Sequence, residues 1–104
     1  MPKPRLSLCA LIYQDDKCWV AHCLETDVVA EGETPTKAFV NLQSLTEFQI
    51  ETALEDGDLE SIFRPAPPEI HAAFARASDQ PIRRRPPKGV KSFEVRGLQP
   101  CGAR

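Results

Sequence analysis

The chain has 104 residues, a mass of 11.6 kDa and a formal net charge of −2. This length supports one domain with a modest core and excludes a multidomain enzyme. Hydrophobic residues make up 41% and charged residues 27% of the sequence, a balance typical of a folded domain rather than of a disordered or membrane-embedded chain. Because the sequence has no bilayer-spanning apolar run and no signal-type apolar block, we expect a cytoplasmic protein without membrane association.

The charges are distributed unevenly along the chain. Residues 1–75 carry five basic and thirteen acidic residues, a net charge of −8, whereas residues 76–104 carry eight basic and two acidic residues, a net charge of +6. Such asymmetry is typical of a basic tail that binds nucleic acid, of an acidic body that meets a basic partner, or of a tail that folds back on its own domain. The sequence leaves these three alternatives open.

Two apolar segments near the start of the chain predict a β-hairpin. They cover residues 6–13 and 18–25, are rich in aliphatic and aromatic residues, and are joined by a polar turn. We expect Tyr13 to lie opposite Cys18 in this hairpin. Alternation predicts one face that is turned to the core: Leu8, Ala10, Ile12, Trp19, Ala21 and Cys23. The other face is also apolar, and we expect a second layer or a partner subunit to cover it: Cys9, Leu11, Tyr13, Cys18, Val20 and His22.

A short strand and a long helix follow the hairpin. The strand is predicted over residues 28–31 and ends at Gly32. Thr34 is the expected N-cap of the helix, which continues to about residue 56, with Gly57 as its stop. The predicted buried stripe of this helix consists of Ala38, Leu42, Leu45 and Ala53, flanked by Phe39 and Ile50.

The second half of the chain has weaker signals. Residues 58–63 fit a helical turn or an edge strand, residues 68–77 predict a short helix, and residues 90–98 predict a last strand. The Arg/Pro-rich segment 81–88 cannot form a helix interior or a central strand. The predicted fold class is α+β, with a three-stranded antiparallel sheet, a long helix, a second short helix and a C-terminal strand. The helices are expected on one face of an antiparallel sheet, in a single domain spanning residues 1–104.

Part of the sequence resembles the HicB-like antitoxin family. The resemblance rests on residues 19–25 (Trp-Val-Ala-His-Cys-Leu-Glu), on residues 28–35 (Val-Val-Ala-Glu-Gly-Glu-Thr-Pro), and on Ala38 and Leu42, within residues 6–55. It implies a partial ribonuclease-H-like β-β-β-α core, here residues 6–56, extended by residues 57–104. Antitoxins of this family neutralise a small, basic, RNA-cleaving HicA toxin. They often carry a C-terminal DNA-binding module, but the sequence after the long helix predicts neither a ribbon-helix-helix nor a helix-turn-helix, so operon repression through such a module is in doubt, and whether the chain binds any nucleic acid stays open.

No set of residues predicts catalysis, a metal site or a cofactor. A ribonuclease-H-type enzyme needs carboxylates that converge on divalent metal, one of them within the first strand, and the predicted first strand has none. The four cysteines, Cys9, Cys18, Cys23 and Cys101, form no Cys-x-x-Cys pair, so free thiols are expected. His22 and His71 are interpreted as a packed core histidine and a solvated helix residue.

Acidic residues are the predicted partner-binding site. Glu47, Glu51 and Glu55 are spaced i, i+4 and i+8 on the long helix. Each like-charged pair at this spacing destabilises an isolated helix by roughly a few tenths of a kcal/mol. Together with Glu25 and Asp27 they would form a surface complementary to a basic toxin. The alternative is an ordinary solvated helix face.

Two functions therefore remain open from the sequence. The first is a HicB-like antitoxin that blocks a basic toxin of HicA type, and the second is a solitary self-assembling module with no toxin partner. We expect a homo-oligomer, a dimer or a tetramer, because the second sheet face and the last strand need partners. The predicted oligomer interface consists of Leu11, Tyr13, Val20, Phe93 and Val95. The segment Arg83-Arg84-Arg85-Pro-Pro-Lys88 is interpreted as an arm that lies on an acidic body.

Overall fold

The computed structural model describes residues 6–80, 82 and 84–98. Its strands are β1 (Leu6–Asp15), β2 (Cys18–Cys23), β3 (Val29–Gly32), β4 (Ser78–Asp79) and β5 (Val90–Gly97). Its helices are α1 (Pro35–Glu55) and α2 (Pro68–Arg76), with a short 3₁₀ helix, Leu59–Ile62, between them. The predicted α+β class is confirmed, and the predicted strands and helices are found close to their predicted bounds. Strand β4 was not predicted, because two exposed polar residues carry no strand pattern.

The sheet differs from the predicted antiparallel one. It is mixed and five-stranded, in the order β3-β2-β1-β5-β4. Strands β1, β2 and β3 are antiparallel neighbours, as predicted, whereas β5 runs parallel to β1 along residues 90–97. Alternation of apolar residues identifies a strand but not its direction, which is set here by the long connection through both helices. The C-terminal extension thus places its last strand beside β1, inside the sheet.

The hairpin register also differs from the prediction, by two residues. Asp15 pairs with Cys18 and Tyr13 pairs with Val20, so the turn contains only two residues. Asp16 in this turn has a φ of 57°, a left-handed conformation that aspartate tolerates better than most residues. A slip of two residues leaves every side chain on its original face, because the side-chain period of a strand is two. The predicted faces are therefore right although the pairing is wrong.

The two helices lie on opposite faces of the sheet, not on one face as predicted. Helix α1 covers the predicted core face, where it packs against Leu8, Ala10 and Ile12. Helix α2 covers part of the other face, where Phe74 packs with Leu11 and Leu24. The second layer expected over this face is thus supplied by the chain's own short helix. Among the described residues, neither helix combines the length and the apolarity needed to cross a membrane.

The start of α1 explains a glycine in the motif. The Thr34 hydroxyl accepts a hydrogen bond from the Lys37 backbone N–H at 3.0 Å, as expected of an N-cap. Gly32, the last residue of β3, lies so close to α1 that a Cβ atom there would overlap the backbone of Lys37 and Ala38. The close approach of strand and helix at this corner therefore requires glycine.

Candidate functional site

The predicted partner-binding residues fall into two places. Glu47, Glu51 and Glu55 lie on α1, whereas Glu25 and Asp27 lie in the connection between β2 and β3. Val28, which follows Asp27, lines a groove beside α1. The connection therefore borders one side of the helix that carries the three glutamates.

Glu25 is engaged within the chain. Its Oε1 atom accepts a hydrogen bond from the Cys9 backbone N–H at 2.8 Å and lies 3.7 Å from the Cys23 sulfur. Its backbone carbonyl accepts a hydrogen bond from the Arg64 N–H at 3.0 Å. Glu25 thus ties β1 to the segment that follows the 3₁₀ helix, which is a structural role.

Asp27 pairs with the buried His22. The His22 Nε2 atom and the Asp27 Oδ1 atom are 2.7 Å apart, and His22 is only 6% exposed. Asp27 has a φ of 58°, so the turn holds this aspartate in a left-handed conformation. The pair orients the β2–β3 connection and leaves little of His22 available for a ligand.

A pair of substitutions at Asp27 tests this role. We expect Asp27→Ala to lower the free energy of unfolding by about 2 kcal/mol, because alanine leaves the His22 nitrogen without its partner and disfavours the left-handed conformation. Asp27→Asn keeps an acceptor oxygen and tolerates this backbone, so it should cost less than about 1 kcal/mol. Urea unfolding monitored by Trp19 fluorescence measures both values. Equal losses would contradict a structural role for the pair.

The cysteines near Glu25 are poor nucleophiles. Burial, reinforced by the Glu25 carboxylate, raises the pKa of the Cys9 thiol to about 12. Burial also raises the pKa of the Cys23 thiol. Because the thiolate is the reactive species, the raised pKa keeps the Cys9 thiol protonated and unreactive at pH 8. Cys9, Cys18 and Cys23 are free thiols, while Cys101 lies outside the described residues.

Thiol alkylation should therefore discriminate among the cysteines. We expect iodoacetamide at pH 8 to modify the exposed Cys18 at least tenfold faster than Cys9 or Cys23, as measured by peptide mapping. Because the raised pKa keeps Cys9 protonated, its rate should still rise between pH 9 and pH 11. Rapid labelling of Cys9 at pH 8 would contradict this environment.

The described residues contain no group of three or more His, Cys, Asp or Glu side chains placed to hold a metal ion. Strand β1 extends two residues further than predicted and so includes Asp15, but this aspartate is exposed at the end of the strand beside the turn. His71 is exposed on α2. These side chains therefore do not converge on one metal-binding point within the described part of the chain.

The three glutamates of α1 do not form one surface. Glu47 is partly buried, and its Oε2 atom accepts a hydrogen bond from the Lys88 backbone N–H at 3.2 Å. Glu51 and Glu55 are exposed. The ladder is therefore split: Glu47 holds the basic C-terminal segment, and the other two carboxylates face solvent.

Two apolar side chains are exposed on the same helix as these carboxylates. Phe48 is 69% exposed and Leu45 is 45% exposed. Phe48 precedes Glu51 by three residues and Glu55 by seven, which puts all three on one side of the helix. The groove beside them has a volume of about 400 Å³ and its lining includes Val28, Leu45, Phe48, Thr52, Asp56 and Ile62. We call this groove, with Glu51 and Glu55, the α1 face.

The sequence pattern missed the α1 face. Leu45 was predicted in the buried stripe, but this is wrong: the buried polar residues Gln43 and Thr46 occupy that side of the helix instead. The signal for the face is Phe48, an aromatic residue that lies off the apolar stripe and among charged residues. Large exposed apolar side chains that cluster in this way are typical of an interaction site.

The predicted oligomer-interface residues mostly lie inside the single chain. Leu11, Val20 and Val95 are buried, and Phe93 packs edge-on against Phe39 with ring centroids 5.2 Å apart. Tyr13 keeps partial exposure. The last strand needs no second copy to pair with, since it pairs with β1 of its own chain. The homo-oligomer itself stays a prediction.

The basic segment lies on α1 of its own chain. Gln43 binds it twice: its Nε2 donates to the Arg85 carbonyl at 3.1 Å, and its Oε1 accepts from the Arg84 Nε at 3.4 Å. Glu47 adds the bond to Lys88. We call residues 84–88 the strap; Pro81 and Arg83 of the predicted arm lie outside the described residues.

No protein-family model, no curated protein and no solved structure matches this chain. The features that bear on its function are therefore the geometry of the α1 face and of the strap.

Proposed function

We propose that the chain is a non-catalytic binding protein of the HicB-like antitoxin type, and that it holds a small basic RNA-cleaving toxin through the α1 face. The observation that carries this proposal is the exposure of Phe48 and Leu45 at the groove, with Glu51 and Glu55 exposed on the Phe48 side of the same helix. An aromatic anchor near a groove gives binding energy, and surrounding carboxylates select a partner of positive charge.

The order of elements supports the family part of the proposal. Three antiparallel strands, β1 to β3, are followed directly by the long helix α1, which is the β-β-β-α order that the resemblance implies. The residues that carry the resemblance also have structural roles here. Gly32 permits the close approach to α1 and Thr34 caps the helix.

The charge around the groove supports a basic partner. Besides Glu51 and Glu55, the segment after α1 contributes Asp56, Asp58 and Glu60, all exposed. Several exposed carboxylates raise the rate of association with a positively charged partner. Added salt screens this attraction and lowers the rate. Glu47 is a lesser part of this surface because the strap already occupies one of its oxygens.

A substitution of Phe48 tests the proposal. The partner for this test is a HicA-type toxin, sought as the product of a small basic reading frame beside this gene; the absence of such a frame would favour the self-assembling alternative. We expect wild-type chain to co-purify with it and to stop its cleavage of RNA. Phe48→Ser should weaken the complex by about thirtyfold or more, since it removes the aromatic anchor from a surface site without touching the core.

Leu54→Ser is the matched control for Phe48→Ser. Leu54 is 49% exposed on the same helix but does not line the groove, so its replacement should change affinity less than threefold. Equal losses from both substitutions would overturn the assignment of the α1 face. If light scattering instead gives a dimer that only Phe48→Ser dissociates, the face joins two copies of the chain, which is the self-assembling alternative.

A further inference from the structure

We propose that the strap and α1 together form a second binding site, which takes the phosphate backbone of single-stranded nucleic acid. This site is independent of the α1 face. It is a cavity of about 400 Å³ between the helix and the strap, and its lining includes Gln43, Ser44, Glu47, Arg84, Arg85 and Lys88.

The strap backbone and the Arg84 side chain are held by hydrogen bonds, so the positions from which the cationic side chains extend are fixed before a ligand binds. Gln43 is buried, 7% exposed, and both ends of its amide are bonded to the strap. Pro86 and Pro87 restrict the backbone between the two arginines and Lys88. A site whose charged groups are already held in place loses less conformational entropy when a ligand binds.

The cations of the cavity keep capacity for an anion. Within residues 6–80, 82 and 84–98, the ion pairs are His22–Asp27 and Arg96–Glu94, and none involves Arg84, Arg85 or Lys88. The single carboxylate of the lining is Glu47, which already accepts the Lys88 N–H. The planar guanidinium group of arginine can donate hydrogen bonds to two phosphate oxygens at once, and the lysine ammonium group adds a positive point charge.

The lining also indicates which phosphate compound fits. It contains no aromatic side chain on which a base could stack. We therefore expect the site to contact the phosphates and not the bases. A flexible single strand can bend to bring its phosphates into the cavity, which a rigid duplex does less readily. We therefore assign single-stranded RNA or DNA, bound without sequence preference.

Fluorescence anisotropy with labelled 12-nucleotide U and dT strands at 25 mM salt tests this site. Wild-type chain should bind both within threefold of each other. The logarithm of the association constant should fall against the logarithm of salt with a slope of about −2, the value for three neutralised phosphates. Arg84→Gln with Arg85→Gln should weaken binding at least tenfold and reduce the slope to about −0.7.

Arg64→Gln with Arg76→Gln is the matched control, because these two exposed arginines lie outside the cavity and their loss removes the same charge. This pair should change affinity less than threefold. The Gln43 side-chain amide signals in a ¹⁵N NMR spectrum should shift when the strand is added. Absence of binding up to 1 mM protein, equal losses in both pairs, or equally tight binding of a poly-glutamate peptide would each overturn the proposal. A Phe48→Ser chain that still binds the strand separates this site from the α1 face.

Discussion

Replacing Val95 with asparagine should lower the free energy of unfolding by about 3 kcal/mol. Val95 is 6% exposed on β5 and packs in the core beneath α1. The substitution removes a buried apolar side chain and introduces an amide, whose unpaired polar atoms add to the cost. Chemical unfolding followed by Trp19 fluorescence and circular dichroism measures the loss.

Ser92→Asn is the control for this prediction. Ser92 is an exposed residue of the same strand, so the substitution introduces the same side chain without burying it. We expect a change within about 0.5 kcal/mol. If Val95→Asn were as mild as Ser92→Asn, β5 would not belong to the sheet, and residues 6–56 would stand as a self-sufficient core.

Gly32→Ala should be at least as damaging, at about 3 kcal/mol or more. A Cβ atom at this position would overlap the backbone of Lys37 and Ala38, and backbone atoms cannot rotate away as a flexible side chain can. The corner between β3 and α1 would open, which also weakens the contact of α1 with the sheet. Thermal and urea unfolding of the purified variant test this expectation.

Gly57→Ala separates close approach from backbone conformation. Gly57 has a φ of 68° at the end of α1, and nothing lies within 4 Å of a Cβ atom built there. Alanine at this position should cost about 1 kcal/mol, the price of a left-handed conformation alone. Equal effects at the two glycines would contradict the steric explanation for Gly32.

The position and type of the elements could be predicted from the sequence because each has a local signal. The ends of α1 follow from the Thr34 cap and the glycine at 57, and the two faces of β1 follow from alternation. The sheet order could not be predicted, since a strand such as β5 has the same pattern whether it runs parallel or antiparallel to its neighbour. Placement of α2 on the second face depends on that order.

The binding surfaces were only partly predictable. Charge spacing located Glu51 and Glu55, but it also grouped Glu47 with them, because periodicity cannot show that the strap returns to that residue from 41 positions away. Gln43 was missed for the same reason: a glutamine in a helix carries no sign of a bond to Arg85. Long-range contacts of this kind arise only when the last strand lies beside the first.

A C-terminal deletion is not a suitable test of how the basic segment balances the acidic body. Removing residues 81–104 would remove β5, and β1 would lose its parallel neighbour together with the core contacts of Val90 and Val95. Charge variants that leave the sheet intact are therefore preferable. Glu51→Lys with Glu55→Lys reverses two exposed charges on the α1 face and leaves Glu47 bonded to the strap.

The most direct test of the α1 face is the dissociation constant of the HicA-type toxin. Calorimetry measures it for the wild type and for this double variant at 50 and 300 mM salt. The matched control is Glu31→Lys with Glu69→Lys, which changes the net charge equally at exposed positions outside the groove. We expect the wild-type complex to weaken with salt, the α1 variant to lose at least tenfold in affinity at 50 mM salt, and the control to lose less than threefold. Unchanged affinity in the α1 variant, or losses of the same size in both variants, would contradict binding through the α1 face.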